Sequence, residues 1–198
     1  MSWARIFDDL EVCPLRAYFS AMGKTGYLSY SRGGMEFQRS VIEGVKETVR
    51  DWARRVYADP GTRGLRTKSL GIKLCAKLGE IVICGRPDVV ALFDHPVALV
   101  VEVVQTSNPK SALKRSLIRL NFYSQGIHEL FGFPISLSLL TPSEALWVIA
   151  EKDLLSEKLN ALESALDYGK AIEMAKRKRR EETCANCIYR RECKMSLV

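Results

Sequence analysis

Residues 84–104 read CGRPDVVALFDHPVALVVEVV, and the fold turns on how they are parsed. Gly85-Arg86-Pro87 and Asp94-His95-Pro96 are turn sequences, and the apolar runs they bound, Val89 to Phe93 and Val97 to Val104, read as strands. Two strands joined by so short a turn fold back as a hairpin, which brings Asp88, at the start of one, toward Glu102, near the end of the other. Glu102 is the only charge in its run of Val and Leu. Burying a carboxylate among such neighbours is costly unless a cation or a donor meets it. Two carboxylates held close together also repel, and a hard divalent cation resolves both problems by taking oxygen ligands from each. The competing reading is an Arg paired with Glu102 and an Asp88 that caps the turn.

Working outward, Leu70 to Leu78 and Ile81 to Cys84 read as further strands before the hairpin. A helix from Pro109 to Phe131 follows it, with Leu113, Leu117, Leu120, Ile127 and Phe131 on one face. Strands at Ile135 to Leu140 and Ala145 to Ala150 flank Thr141-Pro142-Ser143, and a long helix runs from Lys152 to Arg180. Upstream, Gln38, Ile42, Val45, Val49, Trp52 and Val56 recur at alternating +4 and +3 steps, which predicts one helix from Gly34 to Ala58. Residues 3–22 read as a helix broken at Pro14, and Lys24 to Gly34 as a loop. The order predicts an α/β core, a mixed sheet flanked by helices, in a single domain spanning 1–198. Residues 1–25 and 176–198 form an appended subregion of it.

The chain has 198 residues, 47% of them hydrophobic and 27% charged, a globular composition that excludes long disorder. Thirty Lys and Arg against 23 Asp and Glu give +7, a balance that suits a polyanionic partner such as nucleic acid. The apolar run Val97 to Val104 is far too short to span a membrane, and Met1 to Arg5 is not followed by an apolar export segment. The expectation is a cytoplasmic protein with no membrane partner, in which six cysteines are core residues or metal ligands rather than a disulfide framework. Cys184, Cys187 and Cys193 crowd the C-terminal tail, and Cys13, before Pro14, is the candidate for a fourth ligand. Four thiolates suit zinc or an iron–sulfur cluster, and spacing does not choose between them. Cys75 and Cys84, in apolar strands, read as core residues. The run Lys176-Arg177-Lys178-Arg179-Arg180 is either a solvated helix end that suits the dipole or a phosphate-binding ridge to which Arg115 and Arg119 add. His95 and His128 read as structural.

Taken together, Cys13-Pro14-Leu15-Arg16-Ala17-Tyr18, Asp88, Glu102 and the terminal cysteines resemble, in order and over nearly the whole chain, the RecB-like, CRISPR-associated "Cas four" exonucleases. The resemblance implies a PD-(D/E)XK (restriction-endonuclease-like) core. It implies an iron–sulfur cluster, [4Fe-4S] rather than [2Fe-2S], on Cys13, Cys184, Cys187 and Cys193. It further implies processing of single-stranded DNA ends for spacer acquisition beside the CRISPR integrase proteins, and allows a homo-oligomer. Carried over by position, Asp88 and Glu102 hold Mn²⁺ or Mg²⁺ with the Val103 carbonyl, and Tyr123 matches a tyrosine of the helix after the catalytic strand. Three positions depart from the pattern. The family's E-x-K lysine falls on Val104, its metal-binding histidine on Gln38 and its helical glutamine on Arg119. Either catalysis uses relocated groups (Gln105 through a strand bulge, Lys114 or Arg119, with Gln38 as a weaker metal ligand), or the chain is a non-catalytic relative that binds DNA or partner subunits. A zinc-stapled nucleic-acid-binding module accounts for the cysteines equally well but not for the interval between Asp88 and Glu102.

Overall fold

The computed structural model describes residues 3–23, 32–58, 71–78, 81–178, 184–185 and 187–193. The chain divides into two compact units, residues 30–75 with 85–152 and residues 1–29 with 76–84 and 153–198. Among the described residues, strands β1 (Ala53–Ala58), β2 (Leu74–Leu78), β3 (Ile81–Gly85), β4 (Val89–Phe93) and β5 (Ala98–Val103) follow one another after three helices, and one further helix separates them from β6 (Ile135–Leu140) and β7 (Ala145–Val148). In the larger unit a five-stranded sheet runs β1-β4-β5-β6-β7. The expected hairpin is β4 and β5, antiparallel, with Val89 opposite Val101 and Leu92 opposite Ala98. β5 and β6 are parallel, which requires a crossover. Helix α4 (Pro109–Phe131) supplies it, started by Asn108, whose side chain accepts from the Ser111 N–H, and stopped by Gly132 at φ 71°. The sheet is therefore mixed, and β5, central and almost wholly buried, explains the near-continuous apolar run around Glu102.

The two faces of β5 carry different helices. Val101 and Val103 pack with Val89, Ala58 and Ile42, the last from helix α3 (Arg32–Val49). Alternation turns Glu102 to the opposite face, where Arg119 of α4 meets it. The helix expected from Gly34 to Ala58 is shorter than the periodicity suggests. It ends at Val49, Trp52 sits exposed in the turn, and Ala53–Ala58 pair with β4 instead. Backbone partners on β4 decide this, helped by the strand-favouring pair Val56 and Tyr57. A second correction concerns Cys75 and Cys84. They belong to a separate two-stranded sheet, β2 with β3, where Cys75 is exposed, and they are disulfide-bonded rather than core thiols. The beginning of the expected strand at Leu70 lies outside the described residues, as do residues 24–31 of the expected loop.

In the other unit, helix α1 (Trp3–Val12) ends where the Cys13 N–H reaches the Asp9 carbonyl, and helix α2 (Pro14–Ala21) begins at once. Cys13 is the extended N-cap, and Pro14 at the first helical position gives up an N–H that has no helical partner anyway. The long C-terminal helix is in fact two, α5 (Lys152–Leu166) and α6 (Tyr168–Lys178). Asp167 interrupts it by accepting the Lys170 N–H with its side chain, a cap that sequence periodicity does not register. Leu15 and Phe19 of α2 pack with Ala171 and Ala175 of α6 and with Tyr189, with Tyr18 and Tyr168 closing the cluster. Burying each large side chain there contributes about 1.5–3 kcal/mol. Arg179 and Arg180 of the basic run lie outside the described residues. Among the described residues, no helix is long and apolar enough to cross a membrane.

Candidate functional site

Asp88 and Glu102 come together as the hairpin predicts. Both are buried, at 8% and 4% exposure. One Asp88 oxygen accepts the Val103 backbone N–H and the other the Gln38 side-chain amide, each at 2.7 Å. Glu102 faces Arg119, with 3.3 Å between guanidinium nitrogen and carboxylate oxygen, and Arg119 also donates to the Ser116 hydroxyl at 3.1 Å. Burial pushes the Asp88 carboxyl well above the usual aspartate range. The Glu102 charge and its hydrogen bond add to that rise, while the Val103 N–H and Arg119 oppose it. This is the electrostatic situation of a carboxylate pair that gains by exchanging a proton for a cation.

Tyr123 lies one turn beyond Arg119 on α4, buried, with its hydroxyl donating to the Arg86 carbonyl at 3.2 Å. Burial, then the Glu102 charge, push its hydroxyl well above the usual tyrosine range, so it acts as a donor and not as a base. Its bond fastens the turn Gly85-Arg86-Pro87 to α4 and so fixes where Asp88 emerges. Gln38, from α3, is at the pair as its inward position implies, donating to Asp88. Val103 donates its backbone N–H to Asp88. Gln105 is exposed, past the end of β5, and no bulge draws it in, because the β5 register is unbroken from Ala98 to Val103. The cation at the pair is Arg119. Sequence offers it as one of three candidates, and only the α4 crossover selects it. Ser116, its support, carries no sequence signal.

Cys13, Cys184, Cys187 and Cys193 are thiols and line one cavity, together with Leu15, Arg16, Phe19 and Tyr189. Burial raises the Cys13 thiol; the amides of Arg16 and Leu15 pull it down, and Cys187 and Cys193 push it up. Burial also raises Cys187, against the Tyr189 amide and the Arg16 charge, with Cys193 and Cys184 adding to the rise. In kind, four thiols on one cavity are the donors that zinc or iron–sulfur ligation uses. Among the described residues no three or more His, Cys, Asp or Glu side chains form a ready metal-holding group. His95 and His128 are exposed, the latter bonded to the Phe133 carbonyl.

No protein-family model and no curated protein matches the chain. Among solved structures, the crystal structure of SSO0001 matches with TM-score 0.56 and 17% identity, covering 100% of this chain and 87% of that one. At that identity the likeness shows a shared fold. A crystal structure named as a "Putative exonuclease" from Eubacterium rectale gives TM-score 0.47 and 9% identity over 91% of this chain and 82% of that one.

Proposed function

We propose that this protein is a divalent-metal-dependent deoxyribonuclease that hydrolyses phosphodiester bonds at DNA ends. The observation that carries the reading is the buried Asp88–Glu102 pair at the head of a β-hairpin, with a guanidinium beside it. A bound Mn²⁺ or Mg²⁺ would supply a water of lowered pKa and Lewis-acid polarisation of the phosphate. The chain's own residues divide the remaining work. Asp88 and Glu102 present oxygen ligands, Gln38 and the Val103 N–H orient Asp88, and Tyr123 holds the turn that delivers it. Arg119, beside Glu102, would supply positive charge against the developing charge on the phosphate, a role Val104 cannot fill. The resemblance to the "Cas four" exonucleases supports the finer reading: single-stranded ends as substrate, spacer processing in CRISPR adaptation, integrase proteins as partners, and an iron–sulfur cluster on the four cysteines.

One observation favours a second reading, a non-catalytic DNA-binding relative. Arg119 already neutralises Glu102, and both Asp88 oxygens already accept hydrogen bonds, so the pair is satisfied without a metal ion. End-labelled single-stranded DNA incubated with anaerobically purified protein, with Mn²⁺ or with chelator, separates the two. Cleavage that needs both Mn²⁺ and Glu102, and falls to background in Glu102→Ala, supports the nuclease. Retained DNA binding without cleavage supports the second reading.

A further inference from the structure

Among the described residues lining the thiol cavity, Arg16 alone carries a charge. It stands one turn after Cys13 on α2, and two of its guanidinium nitrogens, Nε and Nη2, grip the same oxygen of Asp9 at 3.0 and 2.8 Å. Asp9, on α1, is 3% exposed. A two-point grip fixes the guanidinium plane, so Arg16 is held in one orientation rather than sweeping through solvent. Such a buried ion pair is a weak source of stability, because desolvation offsets most of its attraction. Its placement is better explained by what the positive end faces.

Four thiolates bring four negative charges, and either a divalent ion or an iron–sulfur core of the same charge leaves an anion. That anion would sit against Leu15, Phe19 and Tyr189, which offer it little solvation. We infer that Arg16, aimed by Asp9, is the charge-compensating residue of an anionic thiolate-bound metal group in this cavity. The inference rests on the four-cysteine reading above, and it assigns a partner to the group that cysteine spacing does not reveal. Arg16 is a positioning residue here, acting on the bound group through its charge and not as a ligand.

The test uses the full chain purified without oxygen, its iron, zinc and sulfide content measured, followed by the rate of metal release to a colorimetric chelator. Arg16→Gln is expected to retain metal about 10–100-fold less well, the usual loss when an outer partner of a metal site is removed. Arg16→Lys, which keeps the charge, should recover most of that retention, and Asp9→Asn should fall between. If the group is an iron–sulfur cluster, Arg16→Gln should also move its reduction potential to a more negative value, a change that a purely structural role would not produce. A folded Arg16→Gln protein with wild-type release overturns the inference, as does Arg16→Lys releasing as fast as Arg16→Gln. Should Arg16→Gln fail to fold, wild-type release from Asp9→Asn overturns it instead. A wild-type protein that holds no metal and takes up neither zinc nor iron and sulfide overturns the four-cysteine reading itself.

Discussion

Replacing Asp88 by Asn should change how the metal-free protein responds to pH. In the folded chain, burial and the Glu102 charge hold the Asp88 carboxyl well above its unfolded value of about 3.9. The folded state therefore keeps a proton that the unfolded state has released. The sign follows: this contribution to stability is fully present below about pH 3.9 and is lost as pH rises through the folded value. Inside that window one proton is at stake, so the slope from this group reaches at most about 1.4 kcal/mol per pH unit. Asn keeps the size of Asp88, can still accept from the Val103 N–H, and does not ionise. Urea unfolding in chelator from pH 5 to pH 9 should show wild type losing stability relative to Asp88→Asn as pH rises. Added Mn²⁺ should then restore wild type, by about 2.7 kcal/mol at a hundred times its dissociation constant, and leave Asp88→Asn unmoved. Parallel pH curves for the two proteins, with no response to Mn²⁺ in either, would show that Asp88 neither titrates high nor exchanges its proton for a metal.

Arg119→Gln should lower metal-dependent cleavage by about 10²–10³-fold in kcat while changing DNA affinity much less, since it removes a donor aimed at developing charge. Steady-state kinetics on end-labelled DNA check it, and an unchanged kcat would remove Arg119 from the mechanism. Lys110, Lys114 and Arg115 sit along the same helix that carries Arg119, in its N-terminal half, where the dipole does not favour them. Changing all three to Gln should weaken DNA binding and reduce the slope of log affinity against log salt by about one for each phosphate no longer neutralised. Cys187→Ala should strip metal from the purified protein and lower its melting temperature, because thiolate ligation contributes folding energy. An unchanged melting temperature and metal content would count against the thiol site. Ile42→Ala, at 0% exposure between α3 and the sheet, should cost about 2–5 kcal/mol in chemical unfolding without altering metal content.

The parts of the site legible in sequence are those where composition and spacing conflict with simple burial. Glu102 stands out because no other charge interrupts its strand, and Asp88 because a turn of known type places it at the mouth of the same hairpin. The tail cysteines stand out because three thiols within ten residues are difficult to explain as packing. Elements whose identity depends on a distant partner are the ones that local pattern gets wrong. Val56 keeps helical spacing with Val49, yet the backbone of Ala53–Ala58 bonds to β4, and nothing local in those residues announces that partner. Cys75 and Cys84 read as core thiols because their neighbours are apolar, but they lie on β2 and β3 of a separate small sheet and are disulfide-bonded. Asp167 divides the C-terminal helix by a single capping bond.

By itself the sequence determined the order of apolar segments, the hairpin with its two acids, and the thiol set, because each is a matter of residue type at short separation. Which cation meets Glu102 was beyond its reach. Lys114 and Arg119 are both near in sequence, and strand alternation together with the α4 crossover alone decides that Arg119 arrives at the carboxylate. The same holds for Asp9 and Arg16, whose ion pair depends on how α1 and α2 fold around Cys13. Residue types set what chemistry the chain can do; the packing of helices on strands decides which groups are close enough to do it.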